Sequence, residues 1–187
     1  SIATEAIDRL HSTASSHQRV MVIEVMGHKA GWIALHSGMA GGGDIILLPE
    51  IPYDIHRIGD TIINRLKKGK PYSIVVVAEG IQTMEGKKAA QYIAEEIAYE
   101  TGFETRETVL GYIQRGGSPT AFDRNLATRM GGHATELIAQ GLFGRMIALK
   151  GDRIDSVPLG EVAGKLKLVT PDHDLILQGR RMGVCFG

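Results

Sequence analysis

The chain has 187 residues, enough for one full-sized domain or slightly more, and its 43% hydrophobic and 22% charged residues are typical of a globular protein. Lys+Arg and Asp+Glu both number 21, and this zero net charge argues against a general nucleic-acid or membrane-surface binder. Any anion site must therefore be a local cluster of basic side chains.

The sequence also bears on the cellular compartment. Cys185 is the only cysteine, which excludes a disulfide framework and a thiolate zinc site and fits a reducing cytosol. No apolar run approaches a membrane span, and residues 1–20 lack a signal peptide's hydrophobic core. We expect a cytoplasmic protein. Because the chain opens at Ser1 directly in a helical pattern, we also expect a piece of a longer protein.

Taken in chain order, the first part of the sequence predicts helices that alternate with strands. Apolar residues at helical spacing predict a helix over 2–14, and "VMVIEVM" at 20–26 predicts a buried strand. The next predicted elements are a helix over 29–40, a strand in "GGGDIILLP", a helix from Ile55 closed by Gly69, a strand in "YSIVVVAEG", a helix over 87–100 closed by Gly102, and a strand in "RETVLGYI".

The last third of the chain has a different pattern. Thr120, with Asp123 three residues later, predicts the capped start of a helix that runs to about residue 140. The stretch "RMIALKGDRIDSV" predicts a hairpin that turns at Gly151-Asp152, and residues 174–182 predict a short final helix.

The alternation predicts an α/β fold with a parallel sheet between layers of flanking helices. Ligands of such sheets bind beyond the carboxyl ends of the strands. These ends carry "MGHKAG" at 26–31, "PEIPYD" at 49–54, "AEGIQ" at 78–82 and "YIQRGG" at 112–117. Two of the four place a basic group next to glycine, and one carries a glutamate.

Arg115 is the main candidate for an anion site. It is followed by Gly116 and Gly117, so a planar bidentate donor stands beside backbone that a ligand can approach closely. The alternative is a surface turn, since Arg-Gly is a common turn pair. The two interpretations are evenly balanced on spacing alone.

Two further strand ends are weaker candidates. Met26-Gly27-His28 precedes a predicted helix, whose N-terminus either favours an anion or simply begins the helix. Glu79 is either an acceptor for sugar hydroxyls or an ordinary solvated strand end. Arg19 and Arg106 fall at strand beginnings, opposite the ligand edge, where a solvent or interface role is expected.

The sequence lacks the common glycine-rich nucleotide fingerprints and the common hydrolase and zinc-protease motifs. The glycines 41–43 enter a strand rather than a helix, which disfavours a nucleotide loop. Asp172-His173-Asp174 is more simply a polar loop than a metal patch, so no metal site is predicted.

Three stretches carry a resemblance to a known family: "VIEVMGHKAGWIALHSGMAGGGDIILLPE", "VVVAEG" and "ETRETVLGYIQRGGSPTAFDRNLATRMGGHA". Together with the closing "GRRMGVCFG", they resemble the C-terminal half of 6-phosphofructokinase, in the bacterial branch that includes pyrophosphate-dependent and mixed-donor enzymes. The resemblance implies a phosphofructokinase-like fold and a glycolytic enzyme that phosphorylates fructose 6-phosphate.

The resemblance also implies roles for individual residues. Met26, Gly27 and His28 match a turn over the sugar, with His28 where the family usually has arginine. Glu79 matches a glutamate that holds sugar hydroxyls, and Arg115 matches an arginine on the 6-phosphate. The substrate-binding run implied is Tyr112, Ile113, Gln114 and Arg115, with Tyr112 where many members have histidine. Arg19 and Arg106 match arginines that a neighbouring subunit supplies to the same phosphate.

The family's nucleotide and magnesium motif and its catalytic base are absent from this sequence. The resemblance therefore implies that Mg²⁺ and the phosphoryl donor, ATP or pyrophosphate, bind to a missing half. No catalytic residue is expected in this chain, which alone should be inactive. His11 stands where allosteric members have arginine, while Asp44, Lys68 and Lys70 keep roughly the expected character.

The implied domains are a fructose 6-phosphate-binding domain over 1–117, a segment over 118–172 that packs on the missing nucleotide domain, and a C-terminal helix over 173–187 that returns to the first domain. The implied assembly is a homo-oligomer, dimer or tetramer, without nucleic acid or membrane partners. The alternatives are a non-catalytic sugar-phosphate-binding or regulatory subunit and, on residue patterns alone, an α/β nucleotide binder.

Overall fold

In the computed structural model, which describes residues 1–17, 19–84 and 86–187, the chain divides into two units. The first unit contains Ser1–Gly116 and Lys167–Gly187, and the second contains Gly117–Leu166. No helix among the described residues is long and apolar enough to cross a membrane.

A parallel sheet of four strands forms the centre of the first unit, in the order β2-β3-β1-β4. Both faces of the two central strands are buried, because their side chains are almost all β-branched or otherwise apolar. The strands are β1 (Val20–Val25), β2 (Ile45–Leu47), β3 (Ser73–Ala78) and β4 (Thr105–Val109). The predicted α/β fold with a parallel sheet is confirmed.

Helices cover the sheet in two groups. One group packs together and against β1, β2 and β3, and the other packs together and against β1, β3 and β4. The first group is α1 (Ile2–His17), α2 (Trp32–Ala40) and α7 (Asp174–Arg181), and the second is α3 (Ile55–Lys67) and α4 (Ala89–Thr101). The predicted helices are therefore present, and α2 begins three residues later than the pattern indicated because residues 26–30 form a turn.

The predicted fourth strand is wrong at its end. The strand stops at Val109, and Gly111–Arg115 forms a 3₁₀ helix instead of continuing as "LGYI". Gly111 has a φ of 51°, a left-handed conformation that no strand residue adopts. Arg115 therefore ends a helical turn rather than a strand.

The second unit contains the long helix α5 (Ala121–Ala139) and a two-stranded antiparallel sheet of β5 (Arg145–Lys150) and β6 (Arg153–Pro158), followed by the short helix α6 (Leu159–Val162). Thr120 and Asp123 form the predicted reciprocal cap, with the Asp123 N–H donating to the Thr120 hydroxyl at 3.2 Å. The hairpin at Gly151-Asp152 is also confirmed.

The end of the second unit differs from the predicted segment 118–172. Residues 167–172 lie in the first unit, because Val169 is buried in its core and donates its N–H to Glu50 Oε1 at 3.0 Å. The Trp32 indole N–H also donates to the Lys167 carbonyl at 2.6 Å. Leu166 and Leu168 of the same short segment are exposed, so its composition gave no sign that Val169 would be the buried residue.

The pair His56–Glu100, 2.9 Å apart, joins α3 to α4 and generates a prediction about pH. The hydrogen bond and charge of Glu100 raise the pKa of His56 above its ordinary value. Because the folded-state pKa is raised, the pair stabilises fully below the unfolded pKa of His56 and loses that contribution as pH rises through the folded pKa. We expect unfolding free energy from urea titrations to fall between pH 6 and pH 8, and to fall less in Glu100→Gln.

Glu95→Gln provides the matched control, since it makes the same charge change on the same helix, where Glu95 pairs with Lys87. This variant should keep the pH dependence of the unsubstituted chain. If unfolding free energy fell equally with pH in the unsubstituted chain and in Glu100→Gln, the pH dependence would not come from His56.

Candidate functional site

The turn that follows β1 contains two residues with unusual backbone angles and lies before the start of α2. Gly27 has a φ of 156°, and a Cβ there would lie 2.5 Å from the Ala30 carbonyl oxygen. His28 is the one non-glycine among the described residues with positive φ, at 54°. The expectation that Met26-Gly27-His28 opens a helix is wrong, since α2 begins at Trp32. The turn is a strained loop at the carboxyl end of the sheet.

Glu79 holds this turn in place. It follows β3 directly, and its Oε1 accepts the N–H groups of Gly27 at 3.0 Å and of His28 at 2.7 Å. Those two N–H groups are therefore occupied by a carboxylate. The other oxygen of Glu79 makes no hydrogen bond within the described part of the chain, and the side chain is exposed. One carboxylate thus fixes the turn and keeps an acceptor for a ligand.

The 3₁₀ helix Gly111–Arg115 supplies the remaining polar groups. Gln114 Oε1 accepts the Met26 N–H at 3.3 Å, and its amide donates to the Gly111 carbonyl at 3.2 Å. The exposed Arg115 guanidinium lies 5.8 Å from the centre of the Tyr112 ring, a cation–π contact. Gln114 therefore positions the turn, and Arg115 is left as a cation facing solvent.

These groups converge on one cavity of about 250 Å³, which lies at the carboxyl ends of β1, β3 and β4. Pockets for drug-sized ligands are roughly 300–1,000 Å³, so this volume suits a smaller ligand. Tyr112 and Ile113 are exposed and do not line it. The lining residues are Met26, Gly27, His28, Ile33, Glu79, Gln114 and Arg115.

A larger cavity of about 640 Å³ lies beside the carboxyl ends of β2 and β3. Its walls come from residues 48–49, 51–56, 81–84 and Tyr92, and none of the predicted site residues lines it. Burial and the nearby Tyr92 and Glu96 raise the pKa of Tyr53 in its wall to about 12, so this phenol stays neutral. The smaller cavity is the better candidate, because a cation and a carboxylate meet there.

Arg19 and Arg106 lie where the sequence placed them, at the amino ends of β1 and β4. In this chain both face Glu104, with Arg19 Nε 2.9 Å and an Arg106 terminal nitrogen 2.7 Å from its oxygens. The Arg19 guanidinium, and after it Arg106, hold the pKa of the Glu104 carboxyl below its usual range. Seven residues of extended chain, about 23 Å, separate Arg19 from Met26. The structure therefore does not bring either arginine to the cavity of its own chain.

Magnesium ligands are not found in the part of the chain that the structure describes. No three His, Cys, Asp or Glu side chains among those residues are grouped so that they could hold a metal ion. The described residues therefore do not fit this metal.

Two features of the site were missed from sequence. Ile33 lines the cavity, although it had been assigned only to a helix. Gly80 packs so closely on the turn that a Cβ there would lie 1.9 Å from the His28 carbonyl oxygen. The "AEG" at the strand end was the available signal for Gly80, since glycine permits close backbone approach.

Comparison with known proteins gives consistent matches. A family model described as "Phosphofructokinase" matches residues 1–138. ATP-dependent 6-phosphofructokinase 3 of Bacteroides thetaiotaomicron is 83% identical over 187 residues, 100% of this chain and 56% of that protein. The ATP-dependent 6-phosphofructokinase of Spirochaeta thermophila is 55% identical over 203 residues, again 100% of this chain and 56% of that protein. The chain thus spans about half the length of these curated relatives.

Solved structures agree in fold. Phosphofructokinase from Saccharomyces cerevisiae matches with a TM-score of 0.78 and 34% identity, covering 85% of this chain and 22% of that chain. A pyrophosphate-dependent phosphofructokinase from Marinobacter aquaeolei matches with a TM-score of 0.80 and 24% identity, covering 100% of this chain and 50% of that one. The second likeness shows the fold alone.

The contact between Gly80 and His28 generates a prediction. Gly80→Ala should displace the turn or the start of the β3–α4 connection, because the blocking atom is backbone and cannot rotate away. We expect a loss of about 1–3 kcal/mol in unfolding free energy, the range for overpacked sites. Changed amide NMR signals of Gly27 and His28 should accompany it.

Gly131→Ala is the control, because a Cβ at Gly131 meets nothing within 4 Å and the residue lies in a helix. It should be neutral or stabilising by up to about 1 kcal/mol. Unchanged Gly27 and His28 signals in Gly80→Ala would show that the close approach does not set the turn.

Proposed function

The chain belongs to the phosphofructokinase family, and from this premise we propose that it is the C-terminal, sugar-phosphate-binding half of a 6-phosphofructokinase. The proposed reaction is phosphoryl transfer to the 1-hydroxyl of fructose 6-phosphate, a step of glycolysis in the cytoplasm. The observation that carries the proposal is the convergence of Arg115, Glu79 and the 26–28 turn on one small cavity.

The chemistry of these groups suits a sugar phosphate. Arg115 is exposed, and the ion pairs formed among the described residues do not include it, so its planar fork is available for two parallel bonds to a phosphate. The second oxygen of Glu79 accepts sugar hydroxyls. Tyr112 offers a hydroxyl donor from beside Arg115. Ile113 and Gln114 belong to the same turn, and Gln114 acts through the Met26 N–H.

The strained turn gives the site its shape. The Gly27 and His28 N–H groups already donate to Glu79, so they are not available to bind the ligand. The turn contributes its side chains and its surface instead. His28 is exposed and lines the cavity. In the proposal, Met26, Gly27 and His28 therefore enclose the sugar rather than bind its phosphate.

The phosphoryl donor and its metal belong to the other half in this proposal. The relatives at 83% and 55% identity are named as ATP-dependent enzymes, which supports ATP as the donor, and pyrophosphate is the alternative. Phosphoryl transfer also needs charge neutralisation at the phosphoryl group and a base for the hydroxyl proton, and the proposal assigns neither role to a residue of this chain. This chain's own contribution is to bind and orient fructose 6-phosphate.

We further propose that Arg19 and Arg106 serve a neighbouring subunit in a homo-oligomer, dimer or tetramer. Both lie at the edge of the sheet opposite their own cavity, and Glu104 holds them close together there. A closed assembly with isologous contacts would bring this edge to the neighbour's cavity.

The segment 118–172 is proposed to pack largely on the nucleotide half. Large apolar side chains of the second unit support this, because many are exposed, among them Phe122, Ile138, Phe143, Leu159 and Leu166. Residues 167–172 are the exception, since they lie in the first unit.

The first prediction of this proposal concerns Arg115. In calorimetric titrations of the 187-residue chain, Arg115→Lys should weaken fructose 6-phosphate binding by about 1–3 kcal/mol, the range for a charged hydrogen bond. The charge is kept, but an ammonium cannot form the two parallel bonds. Arg57→Lys, at an exposed site on α3, is the matched control and should bind as the unsubstituted chain does.

Fructose without its phosphate should bind the chain and Arg115→Lys equally weakly. If the lysine variant bound fructose 6-phosphate normally, Arg115 would be an ordinary turn residue and the phosphate site would lie elsewhere.

A second prediction concerns activity. The 187-residue chain should not turn over fructose 6-phosphate with ATP-Mg or pyrophosphate-Mg, because a missing positioned base alone typically costs ~10²–10⁴-fold in rate. The measurement is fructose 1,6-bisphosphate formation by the purified chain. Turnover that is proportional to protein concentration and survives repurification would contradict the proposal that the donor site and the base lie in the other half of the enzyme. Binding without turnover by any longer protein that contains this chain would instead favour the non-catalytic subunit.

A further inference from the structure

A carboxylate that does not line the cavity is buried beneath the site. Glu24 lies in β1 between apolar neighbours, with Val77 and Val109 beside it in the paired strands, and only 8% of the residue is exposed. Burying a carboxylate is unfavourable unless it is compensated by hydrogen bonds or charge. Its compensation here is the N–H of Ala90, which donates to Glu24 Oε2 at 2.8 Å.

Ala90 is the second residue of α4, and among the described residues no other side chain caps this helix. Its N-cap residue, Lys88, makes no capping hydrogen bond, and its first turn has no acidic residue. A helix N-terminus carries unpaired N–H groups and partial positive charge. Glu24 therefore supplies, from another element, an acceptor and a negative charge that neither Lys88 nor the first turn of α4 provides.

The start of α4 is also the end of the connection that begins with Glu79. At the other end of that connection, the Glu79 N–H donates to the Val25 carbonyl at 3.0 Å. Two consecutive residues of β1, Glu24 and Val25, thus hold both ends of the segment that carries the candidate site's carboxylate.

Two hydrogen bonds join described residues of this connection. The Thr83 hydroxyl donates to the Lys87 carbonyl at 3.1 Å, and the Lys87 N–H donates to the Met84 carbonyl at 3.2 Å. Near its start, Gly80 rests directly on the His28 carbonyl. Because Glu24 and Val25 are adjacent in β1, a shift of the strand at Glu24 reaches both the Glu79 N–H and the 26–28 turn that follows directly.

We propose that Glu24 is a positioning residue for the sugar-phosphate site: its carboxylate fixes the start of α4 and thereby sets Glu79 against Gly27 and His28. The inference rests on the proposed function for its effect on ligand binding, and on geometry alone for its effect on the turn.

The test uses the 187-residue chain and Glu24→Met, which keeps length and volume but removes the acceptor and the charge. Amide NMR signals of Gly27 and His28, which report their bonds to Glu79, should shift, and the Ala90 amide should exchange faster with solvent. Fructose 6-phosphate affinity should fall about tenfold, the cost of losing roughly one hydrogen bond between Glu79 and the ligand.

Asp54→Ala is the matched control. Asp54 also places a carboxylate on a helix start, accepting the His56 N–H at 2.9 Å, but α3 does not follow a segment that carries a residue of the site. This variant should lose comparable stability and leave the Gly27 and His28 signals and the affinity unchanged. The proposal would be overturned if the Gly27 and His28 amide signals of Glu24→Met matched those of the unsubstituted chain. It would also be overturned if Asp54→Ala changed these signals equally.

Glu24→Gln decides the matter if Glu24→Met does not fold. An uncharged amide oxygen is a weaker acceptor, so the Gly27, His28 and Ala90 amides should change in the same sense by less, and an absence of change would overturn the proposal. If the unsubstituted chain bound no fructose 6-phosphate, the proposed function would fail, while the amide signals would still decide the role of Glu24.

Discussion

The candidate site depends on the parallel pairing of β1 with β3. The register sets Val25 opposite Ala78, so the first residues after each strand are forced into contact. The Glu79 carboxylate then accepts the N–H groups of Gly27 and His28, which gives the strained turn a fixed partner. A positive φ at His28 and the close approach of Gly80 persist because this pairing holds both backbones in place.

The two ends of the same sheet carry opposite electrostatic arrangements. At the carboxyl end, Arg115 is exposed and in contact with Tyr112, and the nearby carboxylate of Glu79 is engaged with backbone N–H groups. At the amino end, Arg19 and Arg106 share Glu104, which keeps two cations close together at the surface. The carboxyl end thus leaves the Arg115 cation available to a ligand in the cavity. The amino end presents Arg19 and Arg106 on the opposite side of the sheet from that cavity.

Buried or half-buried carboxylates of the first unit join separate elements. Glu24 joins β1 to α4, and Glu50 joins Gly31, before α2, to Val169, near the end of the chain. Asp44 accepts the Ile74 N–H and pairs with Arg65, although burial raises its pKa. A carboxylate in an apolar layer is tolerated only where it meets a donor, so each of these fixes the relative position of two segments.

The sequence by itself determined the α/β alternation, the parallel sheet, the cap at Thr120 and the hairpin at Gly151, because each follows from local periodicity or turn chemistry. It also picked out Glu79 and Arg115, since strand ends of a parallel sheet meet at one edge. Only the tertiary structure decided that Gly111 ends β4 in a 3₁₀ helix, that Tyr112 and Ile113 stay outside the cavity, and that Val169 is buried. It also decided that the N–H groups of Gly27 and His28 donate to Glu79. Those features arise from contacts between residues about 50 or more positions apart, or from a backbone angle open to glycine, and neither is written in a local pattern.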